Sequence, residues 1–453
     1  MKKVYNVFLP VLKGFLYCFA ILQIILGVVY IGTNFGTVPQ FQDTEIYLEM
    51  AEKFIADEYT GLLYPLLVKL CFGVLGSYYH VPIYLLQMAL GFLAVYHFIS
   101  AFTERKVLAV ICSGWINAIP FVLQVHLTVL PYSLVFTFLV LMLQEVVKAT
   151  VQKRTLSLTE WAVLLCSFTI LCQLTRGFMG IGLLFVGWAV LLQLYAVSHR
   201  WLTCLVSCFI CIGITVCNHA IYYCTENEGY YGRIQSSAEA MFFQRTAAPV
   251  LSDKYMLYMP EEISECFTGA ELSLYSRYPY KLQTEMGPKL EARYGKERAA
   301  EIYLALGTLG VDVAAKDNLK AYVEDTLSYA FPEISFMSLR DGNVKGMTSW
   351  NYQQFIQKNP VFAIYYFNIS QHLWIAGVVL MAVGAVMRCL HRRGLKEGLG
   401  HFRLWLPIVL LMVGYGAFIA IRGAGIYDYK MALLPEACMY IPVCIGLFLQ
   451  KET

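Results

Sequence analysis

The sequence predicts an all-α, polytopic membrane protein of about ten spans, with interfacial helices beside the first span and a mainly helical polar segment outside the bilayer. Three observations predict it. Hydrophobic residues make up 58% of the 453 positions and charged residues only 14%, about half the share usual in soluble domains. Apolar runs long enough to cross a membrane, which takes about 20 residues, recur along the chain. Basic residues gather in alternate connections between those runs, as the positive-inside trend requires.

Reading apolar runs against charged breaks places spans at 8–31, 81–102, 107–123, 131–147, 159–174, 178–197, 202–223, 362–387, 404–421 and 431–449. The first follows Met1, Lys2 and Lys3, and no charge interrupts the chain between Lys13 and Asp43. A run of that length without a small-x-small cleavage pattern reads as a retained anchor. Lys2, Lys3, Arg105, Lys106, Lys148, Lys153, Arg154 and Arg200 fall on one side, with the cluster Arg388, Arg392, Arg393, Lys396 and Arg403. That side is the cytoplasm. The protein is therefore expected to be integral to the cytoplasmic membrane, with both termini cytoplasmic.

Three regions follow from this threading. Residues 1–223 form an N-terminal transmembrane module whose first outer loop, 33–80, carries the densest charge; 362–453 form a C-terminal transmembrane module. Between them, residues 224–361 form the largest polar segment, outside the membrane. Its stretches PKLEARYGKERAAEIYLAL and NLKAYVEDTLSYAF repeat apolar residues at three- and four-residue steps, the period of an amphipathic helix. GLLYPLLVKLCFGVLG, residues 61–76, is apolar but short, and both its flanks are expected outside. It reads as an interfacial or re-entrant helix.

Most of the fourteen cysteines lie inside apolar runs, where cysteine acts as a small hydrophobe. Cys208 and Cys211 have C-x-x-C spacing, without a second pair or a histidine to complete a metal site. Cys224 and Cys266 alone could sit in the polar outer segment, which leaves a disulfide between them open. A net charge of +3 gives no basis for nucleic-acid binding. Catalytic triads, Walker loops and H-E-x-x-H zinc motifs are missing from the sequence.

The outer-face charges are the informative ones. Residues 43–58, DTEIYLEMAEKFIADE, are crowded with carboxylates directly after the first span. If this segment is helical, Asp43, Tyr47, Met50 and Phe54 share a face, while Glu45, Glu49 and Glu52 take the solvated side. A carboxylate among aromatic and apolar neighbours can act as a general base. The same position also fits a helix N-cap. Arg176 lies in the outer turn TRG, and Arg422, Asp428 and Lys430 lie in the outer turn RGAGIYDYK. Basic residues in outer turns run against the topological trend, and each asks for an anionic partner or an interfacial anchor.

A polyprenyl-phosphate sugar would meet these requirements, with an apolar tail for the bilayer and an anionic leaving group for Arg or Lys. Charge grows on its phosphate as the glycosidic bond breaks, so fixed cations favour the transition state. A carboxylate would accept the proton of an attacking hydroxyl, and one displacement would invert the anomeric centre.

The residues D-T-E-I-Y-L-E-M-A, with Tyr47 four and Ala51 eight positions after Asp43, resemble the family 39 glycosyltransferases of the GT-C fold. That group includes protein O-mannosyltransferases and the lipid A aminoarabinose transferase. YPLLVKLCFGVLGS is similar to the family's Pro-Leu-rich juxtamembrane stretch, and LTRGFMGIGLLF to its Leu-Thr-Lys-Gly turn, with Arg176 in the Lys position. ALLPEACMYIP resembles the Pro-containing final helix more loosely. The likeness covers residues 1–200 and leaves out 224–361. It implies a GT-C-like bundle, Asp43 as base, Arg176 as donor-phosphate ligand and Tyr47 as pocket support.

Two departures stand out. Thr44 occupies the place of the second acid, with Glu45 one position further on; Glu45 is a candidate to compensate for it. The outer turn HLTVLPYSL offers His126 where an additional acidic residue is often found. Arg422 and Lys430 are candidate phosphate ligands from topology alone, and Arg245, in FFQRTAAP, a candidate acceptor or phosphate contact. Asp43 and Glu45 could hold Mg²⁺ or Mn²⁺, for which oxygen-ligand spacing gives no reliable code.

The expected activity is inverting transfer of a sugar from a polyprenyl-phosphate donor to an extracytoplasmic envelope glycan, lipid or protein. Two alternatives remain: a polysaccharide polymerase or ligase consuming a lipid-diphosphate oligosaccharide, and a flippase for lipid-linked sugars. Transport sites favour ionisable groups near the bilayer midplane, and the spans here carry few.

Overall fold

The computed structural model describes residues 2–36, 42–54, 61–152, 154–175, 178–196, 205–206, 209–210, 212–217, 246–277, 281–320, 323 and 441. Among them every regular element is helical. They fall into two compact units, one carrying residues up to 217 and the other residues 246–320. The expected spans 362–387, 404–421 and 431–449 lie outside the described residues, except Ile441.

In the first unit, α1 (Lys2–Asn34), α4 (His80–Ser100) and α7 (Tyr132–Gln152) contain segments long and apolar enough to cross a membrane. Shorter apolar helices are α3 (Leu63–Leu75), α5 (Lys106–Asn117), α8 (Leu158–Leu174) and α9 (Met179–Ala196). Two further helices, α2 (Gln42–Lys53) and α6 (Pro120–His126), complete the unit. Packing against α4, α6, α8 and α9 makes α7 the hub. Within its apolar window 83% of residues are buried, against 28% for α1, so α1 is peripheral. Phe15, Ile25 and Val28 of α1 lie exposed, an apolar surface of the kind a bilayer covers.

The expected span 107–123 is not one helix. α5 stops at Asn117 and α6 begins at Pro120, because a residue preceding proline is driven out of the α region and proline suits the first helical position. The break has a polar lock. Gln23 of α1 donates to the Ala118 carbonyl at 3.2 Å, and Trp115 donates to Gln23 Oε1 at 2.8 Å. Close approach of α1 to α5 is permitted by Gly27, where an added Cβ would sit 3.2 Å from Ala118 Cβ.

At the other end of the hub, α7 and α8 are joined by a charged clamp. Arg154 donates through both terminal nitrogens to Glu160, at 2.6 and 2.7 Å, and Lys148 reaches the same carboxylate at 2.9 Å. Glu160 also closes a capping box with Ser157. Lys148 and Arg154, which set the cytoplasmic side in the sequence reading, are thus also ion-paired.

The second unit is built on α10 (Glu261–Cys266), α11 (Gly269–Arg277), α12 (Gly287–Tyr294) and α13 (Lys296–Asp312), preceded by a 3-10 turn, Asp253–Tyr258. A π-helical turn, Leu282–Met286, runs directly into α12. Gly295 joins α12 to α13 at a φ of 81°, where glycine alone is unstrained. Ile263, Phe267, Tyr275, Leu290, Ile302 and Leu306 lie in its core. Thr268 caps α11, receiving the Glu271 amide while its own amide donates to Glu271; that bond and Lys289 hold the Glu271 carboxyl down to about 2. Cys266 is a free thiol 3.6 Å from the Tyr294 hydroxyl; Cys224, the other cysteine of the candidate disulfide, lies outside the described residues.

Candidate functional site

α2 and α3 bring together parts of the segment 33–80, expected from the sequence to be the first outer loop. Tyr47 of α2 meets Tyr64 of α3 edge-on, with ring centroids 5.5 Å apart. Further along both helices, Lys69 of α3 donates to the Glu52 carbonyl at 3.4 Å and lies over the Phe54 ring. The contact pairs step forward together, so the two helices run in the same direction. Their first turns therefore lie at the same end of the pair.

That end abuts the end of α8. A Cβ added to Gly61, two residues before α3, would sit 2.4 Å from the Gln173 carbonyl oxygen. Only glycine allows so close an approach of two backbones. Gln173 leads through Thr175, which is buried and extended, to the TRG turn. On the far side of that turn Phe178 is buried against Tyr132, with centroids 6.4 Å apart. Arg176 and Gly177 lie outside the described residues; Thr175 before them and Phe178 after them are buried.

Asp43 and Glu45 occupy the first turn of α2. Among the described side chains of this helix, Thr44, Tyr47, Met50 and Ala51 are buried, whereas Glu49, Glu52 and Lys53 are exposed. At about 100° per residue, position 43 falls about 40° from Tyr47, inside the buried arc. Position 45 falls on the opposite arc with Glu49 and Glu52. Phe54 does not belong to the buried face expected of it: its φ of 53° takes it out of the helix, and it is exposed. Thr44 takes that place instead.

Thr44 is the neighbour that spacing to Asp43 alone did not bring out. It is 1% exposed, and its hydroxyl meets no hydrogen-bond partner. The Tyr64 hydroxyl, fully buried, is likewise unpartnered. Thr44 stood out in the sequence only as the residue in the place of the second acid, and Tyr64 had no signal beyond a polar tip inside an apolar run.

His126 is placed differently from an acid at the site. Its Nε2 lies 2.9 Å from Asn117 Oδ1 and its Nδ1 2.7 Å from the Ser133 hydroxyl. Asn117 spends its amide nitrogen on the Ser113 carbonyl, so its oxygen accepts, Nε2 carries the proton, and Nδ1 accepts from Ser133. Burial pushes the imidazole down to about 3. Gly91 makes room for this ring, since an added Cβ would sit 2.6 Å from His126 Cε1. The histidine ties α5, α6 and α7 together as a neutral clip. Gln87 of α4 adds a bond of 3.0 Å to the Thr128 carbonyl in the same turn.

Arg422 and Lys430 lie outside the described residues, as does Arg245. Its neighbour Thr246 is pinned in the second unit: Asn318 donates to the Thr246 carbonyl at 3.1 Å, and an added Cβ on Gly310 would lie 2.0 Å from that oxygen. Among the described residues no group of three or more His, Cys, Asp or Glu side chains gathers to hold a metal ion. Comparison with known protein families, with characterised proteins and with solved structures found no match.

Proposed function

We propose that the chain is an integral-membrane, inverting glycosyltransferase of GT-C type, with about ten spans and both termini cytoplasmic, acting on a polyprenyl-phosphate sugar at the outer face. The observation that carries this reading is the contact of Gly61, just before α3, with Gln173 at the end of α8, in a segment where α2 packs on α3. In this reading the segment that carries Asp43 and the residues on either side of Arg176 belong to one site.

In this reading the hydroxyl of an envelope glycan, lipid or protein attacks the anomeric carbon from the face opposite the phosphate. Its proton passes to the Asp43 carboxylate as the new C–O bond forms. The old C–O bond breaks with its electron pair leaving on the phosphate oxygen, where Arg176 offsets the growing charge. Tyr47 supports the pocket wall through Tyr64. Arg422, Lys430 and Arg245 are further candidate contacts to phosphate or acceptor and Glu45 is a second candidate acid; because positions 43 and 45 fall on opposite arcs of α2, Asp43 and Glu45 do not fit as joint ligands of one Mg²⁺ or Mn²⁺.

The test is Asp43→Asn in the full chain, assayed for transfer from labelled polyprenyl-phosphate sugars. Loss of a general base costs about 10²–10⁴-fold, so the variant should fall by at least the lower figure while keeping its melting temperature. Undiminished transfer overturns the reading.

One observation favours the flippase instead. Glu145 is buried in α7, inside a segment apolar enough to cross a membrane, with one carboxylate oxygen unpartnered. Buried ionisable groups in spans often mark transport paths. Lipid scrambling that continues without sugar transfer, and that stops in Glu145→Gln, would decide for it.

A further inference from the structure

Buried polar groups in folded proteins nearly always find a partner, and each exception calls for an explanation such as a bound water, ion or ligand. Among the described residues, three such exceptions gather in the first outer loop. They are the Thr44 hydroxyl on α2, the Tyr64 hydroxyl on α3 and both ring nitrogens of His80 at the start of α4. All three side chains are more than nine-tenths buried. The Ser77 backbone lies close to the imidazole without completing a hydrogen bond.

Aromatic contacts link them. Thr44 stands one helical turn before Tyr47, which meets Tyr64 at 5.5 Å. α3, which carries Tyr64, packs on α4, at whose start His80 meets the Tyr79 and Tyr84 rings, with centroids 5.8 and 5.6 Å away. Gln87, Glu145, Trp161 and Gln193, each buried with an unpartnered side-chain atom, are spread over α4, α7, α8 and α9. Hydroxyl and imidazole groups set among aromatic rings offer both parts of what a sugar ring needs: bonds to its hydroxyls and flat apolar walls for its C–H faces.

We propose that Thr44, Tyr64 and His80 form the subsite that receives the sugar ring of the lipid-linked donor, next to Asp43. The subsite rests on the reading of the chain as a polyprenyl-phosphate-sugar transferase and adds to it the group that tells a loaded donor from a spent one. The neutral Thr44 then has a use at the place where an acid was expected: it supplies a hydroxyl to the sugar.

The experiment measures equilibrium binding of the full chain in detergent to bare polyprenyl phosphate and to polyprenyl-phosphate mannose, glucose and arabinose. The wild type should bind at least one sugar-bearing lipid about tenfold more tightly than the bare lipid. Thr44→Val and Tyr64→Phe should each lose most of that preference, keep the affinity for bare lipid, and melt no lower than wild type, because neither hydroxyl has a protein partner to lose. Variants that retain the preference, or a wild type that binds bare lipid and all three sugars equally, overturn the subsite and leave the transferase reading standing. A wild type that binds none of the four lipids overturns both.

Discussion

Gly61 and Gln173 are in backbone contact: the space a Cβ would need at position 61 is occupied by the Gln173 carbonyl, 2.4 Å away. Residues more than a hundred positions apart are thereby locked at one end of α8. That contact ties the segment before α3 to the stretch that ends α8 at Leu174. Gly61→Ala should therefore force α3 from α8, at about 1–3 kcal/mol, the cost of overpacking a tight contact. Its melting temperature should fall, and so should transfer. A Gly61→Ala variant that melts with the wild type would show that the contact is not tight.

His126 gives the bundle a pH dependence with a definite sign. Unfolded, the imidazole takes up a proton below about 6.5; folded, it does so only near 3. The unfolded state therefore binds more protons between these values, and stability falls as the pH drops through that window. His126→Gln should cost about 1–3 kcal/mol at neutral pH through its broken hydrogen bonds. It should also flatten the decline in melting temperature between pH 6.5 and 4. An unchanged slope in the variant would assign the decline to other groups.

The clamp between α7 and α8 depends on one carboxylate. Glu160 is nearly buried and serves Arg154, Lys148 and the Ser157 cap together. Glu160→Gln should destabilise by about 1–3 kcal/mol, moderated because Lys148 and Arg154 are each about a third exposed to solvent. In a double-mutant cycle with Arg154→Gln the two losses should fall short of additive, as expected for residues sharing one network. Strict additivity would mean that the pair does not act as a unit.

Much of this architecture can be read from the chain, and the failures have physical causes. α1, α4, α7, α8 and α9 announce themselves as uninterrupted apolar runs, and α12 and α13 by their three- and four-residue period. Hydropathy alone ran 107–123 together because it is blind to the missing amide of Pro120; the break could have been read from that residue. The end of α2 at Phe54 carries no such mark, since a left-handed phenylalanine has no sequence signature, and this put the wrong residue on the buried face. The helix at 43–53 and the buried side of Tyr47 were legible through their spacing. His126 looked like an outer-turn residue because its partners, Asn117 and Ser133, are set by tertiary packing around Gly91. Gly61 and Gln173 could not have been paired by any local rule.

The most direct measurement is a crosslink between positions 43 and 176. Asp43→Cys and Arg176→Cys are combined in the full chain, and intact cells are treated with a short, membrane-impermeant bifunctional thiol reagent. Mass spectrometry of the digest should find the 43–176 linkage, formed from outside. Reaction only after the membrane is opened, or labelling at both positions with no link between them, would contradict the account.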